Sequence, residues 1–175
     1  GRIARGSTAV FLMPEGFNKK ADWYRHPDDP LGWLPLANKG ELNTLMNNGI
    51  YHPEQWTKDH PIFDGLLSRG LMDYTVYREL IPKQVFSSQD PPPGAVAGAI
   101  CAAFRDYDSG LMVSTHPLGA GGFILNTLLI RENLGTDPGA ERLLRNMLRY
   151  AGRDVSRPPV ELPDDFDAQL ATLGL

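Results

Sequence analysis

The chain has 175 residues, a length suited to about one domain. Apolar residues make up 42%, enough for a core, and the net charge of -4 argues against a nucleic-acid-binding surface. No apolar run reaches the roughly 18 residues of a membrane span. The single cysteine, Cys101, excludes an internal disulfide and a Cys-rich zinc site.

The first residues, GRIARGSTAVFLMP, hold neither an initiator Met nor a signal-peptide pattern. The chain enters a strand almost at once, expected over 8–13. A segment of a longer protein is therefore expected, with further strands ahead of residue 1. Residues 14–60 are rich in Pro, Gly, Asn and Trp, and only 41–46 looks weakly helical. A loop region of that length is uncommon and often functional. A turn is expected at Asp64-Gly65. MDYTVYREL fits an alternating strand or a helical turn.

After the SSQDPPPG break, AVAGAICAAF reads as a strand, DYDSG as a turn and LMVSTHP as a second strand. LGAGG turns again, and 123–129 is the clearest strand of the chain. Short turns between these three predict an antiparallel meander. Asp137 and Pro138 then suit a helix start. Ala140, Leu143, Leu144, Met147, Leu148 and Ala151 follow helical spacing and predict one buried face over 140–151. Arg142, Arg145 and Arg149 fall on other faces. SRPPVELP reads as a linker, and DDFDAQLATLGL as a short terminal helix with acids at its start. The expected organisation is one α/β domain over 1–152, with a Pro-rich linker and short helix over 153–175.

Few residues carry a chemical signal. Cys101 lies mid-strand among small apolar neighbours, whereas a nucleophile needs a sharp glycine turn into a helix. A buried, inert thiol is expected. All four histidines, His26, His52, His60 and His116, precede proline. That position favours extended backbone and rules out a helical pair of metal-binding histidines. His116, at a strand end, is the best placed of them for catalysis. DYDSG lacks the glutamate of a calcium loop. GAGG precedes a strand rather than the helix a phosphate loop requires. No metal site and no cofactor is expected. Trp23, Trp33 and Trp56 either stack on sugar rings or anchor the irregular region to the core.

The stretches KDHPIFDGL, MDYTVYREL and GGFILNTLLIRENLGTDPGAERLLRNMLRY resemble the class I glutamine amidotransferase-like domain attached to bacterial glycoside hydrolases. ThuA-like domains of sugar utilisation are more distant relatives. The resemblance spans roughly residues 8 to 151. It implies an α/β fold, a flavodoxin-like three-layer sandwich with a mixed sheet, and a periplasmic or secreted setting. Active members carry a cysteine on an elbow and a His-x-Glu pair after a late strand. Here that late strand reads Asn126-Thr127-Leu128, so the catalytic residues do not carry over.

The expected function is thus a non-catalytic accessory domain of a carbohydrate-processing protein, serving structure, oligomerisation or carbohydrate binding. Its partners would be a carbohydrate, a parent catalytic module or further copies of itself. The alternative is a glycoside hydrolase using a carboxylate pair drawn from Asp106, Asp108 or Glu132, which must flank one bond. In open α/β sheets ligands sit beyond the carboxyl ends of the strands. Glu15, Asn126, Arg131 and Glu132 are expected to border that crevice, with Trp23, Trp33 and Trp56 folding over it. The plainer reading pairs Arg131 with Glu132 on the surface and has Asn133 cap a turn.

Overall fold

The computed structural model describes residues 2–12, 41–44, 53–68, 70–87, 94–103, 106–153, 158–162 and 164–172. They form a mixed α/β structure around one seven-stranded sheet. The strands are β1 (Thr8–Phe11), β2 (Glu41–Thr44), β3 (Glu54–Thr57), β4 (Gln84–Ser87), β5 (Gly94–Ala103), β6 (Asp106–Leu118) and β7 (Gly121–Asn126). The helices are α1 (Tyr74–Tyr77), α2 (Pro138–Arg153) and α3 (Phe166–Thr172).

The expected meander of β5, β6 and β7 forms, and β1 lies parallel to β7 with Thr8 opposite Gly122 and Phe11 opposite Leu125. Every other pairing is antiparallel. The strand β6 runs 13 residues. Along one edge it pairs with β5 from Asp106 to Thr115. Along the other it pairs with β7 from Val113 to Leu118, and then with β4 through Leu111 and Phe86. Gly110 makes room for β4, since a Cβ there would lie 2.5 Å from a methyl of Val85. At the far edge Trp56 lies over Gly98, its register partner, where a Cβ would meet the indole at 2.6 Å.

Alternation along the strands gives the sheet two apolar faces. Ile124, Val10, Val85, Val96 and Met112 point to one, covered by Ala140, Leu143, Met147 and Ala151 of α2. Phe123, Leu125, Phe86 and Leu118 point to the other, where Ile3, Phe11 and Phe166 of α3 pack on them. Phe11 and Phe123 meet edge-on with ring centroids 6.0 Å apart.

The helix α2 is as expected in place and extent, but its buried face is rotated. Leu143 and Met147 are fully buried and Leu144 is half-buried against the core. Leu148 instead stands 56% exposed, while the polar Asn146 is buried. The cause is a hydrogen-bond clamp: Asn146 Nδ2 donates to the carbonyls of Ile62 (3.1 Å) and Asp64 (2.9 Å). These belong to the 3-10 turn Pro61–Phe63 and the residue after it. Satisfying two carbonyls draws this side of the helix inward and turns Leu148 out.

Other local expectations are corrected. Residues 41–44 are a strand, not a helix, because pairing with β4 overrides weak helix propensity. DYDSG lies within β6, with Asp106 opposite Ala103 and Asp108 opposite Cys101. The late strand stops at Asn126 rather than 129. MDYTVYREL takes the helical option, as the short α1 capped by the Asp73 carboxylate, which accepts from Thr75 N at 2.8 Å. Gly65, at φ 74°, makes the expected turn.

Two outcomes follow. Leu143→Ala should lower unfolding free energy by about 2–5 kcal/mol, whereas Leu148→Ala should change it by less than about 0.5 kcal/mol. Urea denaturation of both variants measures this, and equal losses would contradict the rotated face. Cys101, fully buried, should resist a thiol reagent until the chain unfolds; rapid modification of the native protein would show the site open.

Candidate functional site

The parallel pair of β1 and β7 places the carboxyl end of β7 where a ligand crevice is expected. The residues there are engaged with the backbone. Thr127 N–H donates to Met112 O at 2.8 Å, and its hydroxyl reaches the same carbonyl at 3.4 Å. Asn126, 1% exposed, donates from Nδ2 to Leu128 O at 2.8 Å. Its Oδ1 is buried without a hydrogen-bond partner among the described residues. Asn133 Nδ2 donates both to Leu129 O (2.8 Å) and to Glu79 O (2.9 Å). It therefore ties the chain after β7 to the end of α1. Asp137 then accepts from Gly139 N at 2.6 Å and Ala140 N at 3.4 Å, starting α2.

Arg131 and Glu132 form an exposed 3-10 turn with Asn133. No ion pair joins them. Trp56 lies half-buried on β3, three strand steps from β7 through β5 and β6, or about 14 Å. The structure therefore brings Asn126, Arg131 and Glu132 into one segment and leaves Trp56 elsewhere. Glu15, Trp23 and Trp33 lie outside the described residues.

One pair has the residue types of a nucleophile and its base. Ser114 Oγ and His116 Nε2 lie 2.9 Å apart on β6. Residues two apart on a strand share a face, so the spacing S-x-H is a readable signal. Both are buried, at 1% and 4% exposure. The imidazole stacks flat on Phe123, its cross-strand partner, with centroids 4.6 Å apart and planes 1° from parallel. No described carboxylate holds the other ring nitrogen. Without access or an orienting acid, the pair serves as a satisfied polar contact in an apolar layer.

Burial pushes the His116 pKa down from 6.5 to about 4. His60 has a structural role as well: its Nδ1 accepts from Ile62 N at 3.3 Å, and its ring packs on Tyr150. Among the described residues no group of three or more His, Cys, Asp or Glu side chains is placed to hold a metal ion. No described helix is long and apolar enough to cross a membrane.

No family model, curated protein or solved structure matches the chain.

The His116 environment makes stability depend on pH. The folded state holds the imidazole neutral, while the unfolded chain takes up a proton below about 6.5. Stability is therefore fully present above pH 6.5, falls as pH drops toward 4, and levels off below. The total loss from this group should be roughly 3 kcal/mol. Urea midpoints between pH 7.5 and 4 test it: His116→Phe should flatten that part of the profile, and an unchanged slope would show that His116 is not its source.

Proposed function

We propose that this chain is a non-catalytic accessory domain of a carbohydrate-processing protein, with a flavodoxin-like, class I amidotransferase-like sandwich. Its role on this reading is structural, oligomerising or carbohydrate-binding. The carbohydrate connection rests on the sequence resemblance to domains attached to glycoside hydrolases.

One observation carries the non-catalytic half. Where an enzyme of this architecture would present reactive groups, the polar side chains are bonded to backbone. Asn126, Thr127 and Asn133 each donate to a main-chain carbonyl. Those bonds shape a loop, and among the described residues at the end of β7 no nucleophile is paired with a base. The lone cysteine lies fully buried within β5, not on an elbow. A parallel β1–β7 pair, with α2 on one face and α3 on the other, supports the sandwich reading.

The glycosidase alternative needs two convergent carboxyl groups. Asp106 and Asp108 lie on β6, whereas Glu132 lies in the turn beyond β7. Incubation with a panel of aryl glycosides should release no phenol above the buffer rate. Turnover that disappears in Glu132→Gln would instead establish the hydrolase. Titration with simple sugars, followed by tryptophan fluorescence, separates a carbohydrate-binding role from a purely structural one.

A further inference from the structure

The helix α2 carries Arg142, Arg145, Arg149 and Arg153 at spacings of three, four and four residues. All four are exposed, and they follow one stripe about 16 Å long. None forms an ion pair or hydrogen bond with a described residue. At such spacings like charges are neighbours and repel. The usual remedy is a carboxylate four residues before an arginine. Glu141 stands in that position to Arg145, yet its Oε1 accepts from Gly135 N–H at 3.0 Å instead. A chain of net charge -4 thus keeps on α2 a line of guanidinium groups with no ion-pair partner among the described residues.

The N-terminal end of this stripe opens into two adjoining clefts, of about 690 Å³ and 360 Å³. Arg142 lines both, and Arg145 lines the smaller. Three carboxylates, Glu79, Asp137 and Glu141, line them as well, each with a partner of its own. Glu79 pairs with Arg78 at 2.8 Å, Asp137 caps α2, and Glu141 holds Gly135. The larger cleft also presents the hydroxyls of Thr75 and Thr136 and the amide of Asn133. Both hydroxyls donate inward, to Asp73 and to Asn133 O, so their outward lone pairs can accept. Asn133 commits only its Nδ2, leaving Oδ1 as a further acceptor. The larger cleft therefore offers neutral and carboxylate acceptors for hydroxyl groups beside Arg142, and the smaller adds Arg145, whose guanidinium matches planar or tetrahedral anions.

We propose that this face binds an acidic oligosaccharide, with one sugar ring in the larger cleft and the carboxylates or sulfates of successive rings along the arginine stripe. The repeated hydroxyls match the cleft, and the repeated charges match the stripe. Binding relieves the repulsion among the arginines. The site takes Asn133 and Thr136 from the loop after β7 but not Asn126, Arg131 or Glu132, and the inference rests on the carbohydrate half of the proposed function.

Calorimetric titration of the whole 175-residue chain tests it with four probes of equal length: an oligouronate, a sulfated oligosaccharide, a neutral oligosaccharide and an oligoglutamate. One or both acidic saccharides should bind, the relative affinity of the two showing which anion is preferred, while the neutral one should not. Affinity should fall steeply with added salt. Replacement of both Arg142 and Arg145 by Gln should weaken binding at least about tenfold. The same should hold for Arg149→Gln with Arg153→Gln, which tests the stripe apart from the cleft. Because all four side chains are exposed, the variants should melt at or above the parent temperature, which circular dichroism checks. Equal binding of the neutral saccharide, equal binding of oligoglutamate, unaltered affinity in the variants, or no binding at all would each overturn the proposal. Glycosidase activity with intact arginine-dependent binding would overturn only the non-catalytic reading. Binding of neutral sugars alone would keep the carbohydrate role and remove this site.

Discussion

The long strand β6 is the element on which the other parts depend. It is hydrogen-bonded along both edges, and one of those edges is shared in succession by β7 and β4. A strand can serve two partners on one edge only if the first leaves where the second arrives. Here β7 leaves at Asn126, opposite Val113, and β4 meets Leu111. The departure exposes main-chain groups inside the protein, where unpaired donors and acceptors are costly. Thr127 and Asn126 answer this by bonding to Met112 O and Leu128 O. The polar residues that resemble a site by position thus stabilise the parting of two strands.

Polar side chains do similar work wherever elements of different kind meet. Asn146 closes the seam between α2 and the 3-10 turn, and Asn133 joins the end of α1 to the loop before α2. Each donates twice to carbonyls that secondary structure leaves open. The apolar layers, by contrast, are separated by simple alternation. Ile124 faces α2 while Phe123 and Leu125 face α3. The His116 ring joins the second layer only because Ser114 satisfies one nitrogen and Phe123 covers its plane. On the outer surface of α2 the polar groups behave differently. The guanidinium groups of Arg142, Arg145, Arg149 and Arg153 stand outward, while Glu141 and Asp137 accept backbone N–H groups around the first turn of that helix.

Much of the sheet was legible in the residues. The apolar runs around Ala97–Ala103 and Phe123–Asn126 mark strands, and short glycine turns make the meander the natural connection. The start of α2 was readable from Asp137 and Pro138. The rotation of that helix was not. Leu148 and Asn146 exchange their expected places because two carbonyls of a distant turn need a donor, and no local pattern records that need. The extended state of 41–44 was hidden for a related reason: a strand with weak propensity exists through its partner. In the candidate site, Asn126, Arg131 and Glu132 were found by position at the strand end, whereas the hydrogen bonds that engage Asn126 arise only when β6 is in place.

What the sequence determined by itself is therefore local and periodic: the strands around Ala97–Ala103 and Phe123–Asn126, the start of α2, the turn at Gly65, the buried thiol of Cys101 and the extended backbone of His60 before its proline. Each follows from steric limits on neighbouring residues or from burial of every second or every third and fourth side chain. Only the tertiary structure decided that β1 and β7 lie side by side in parallel, that β6 serves two strands on one edge, and that Trp56 packs on Gly98 away from the loop after β7. It also decided that Glu141 turns to Gly135 rather than to Arg145, which has no ion-pair partner among the described residues. These depend on contacts between residues far apart in the chain, where a hydrogen bond or a missing Cβ selects one neighbour among many that the local pattern allows equally.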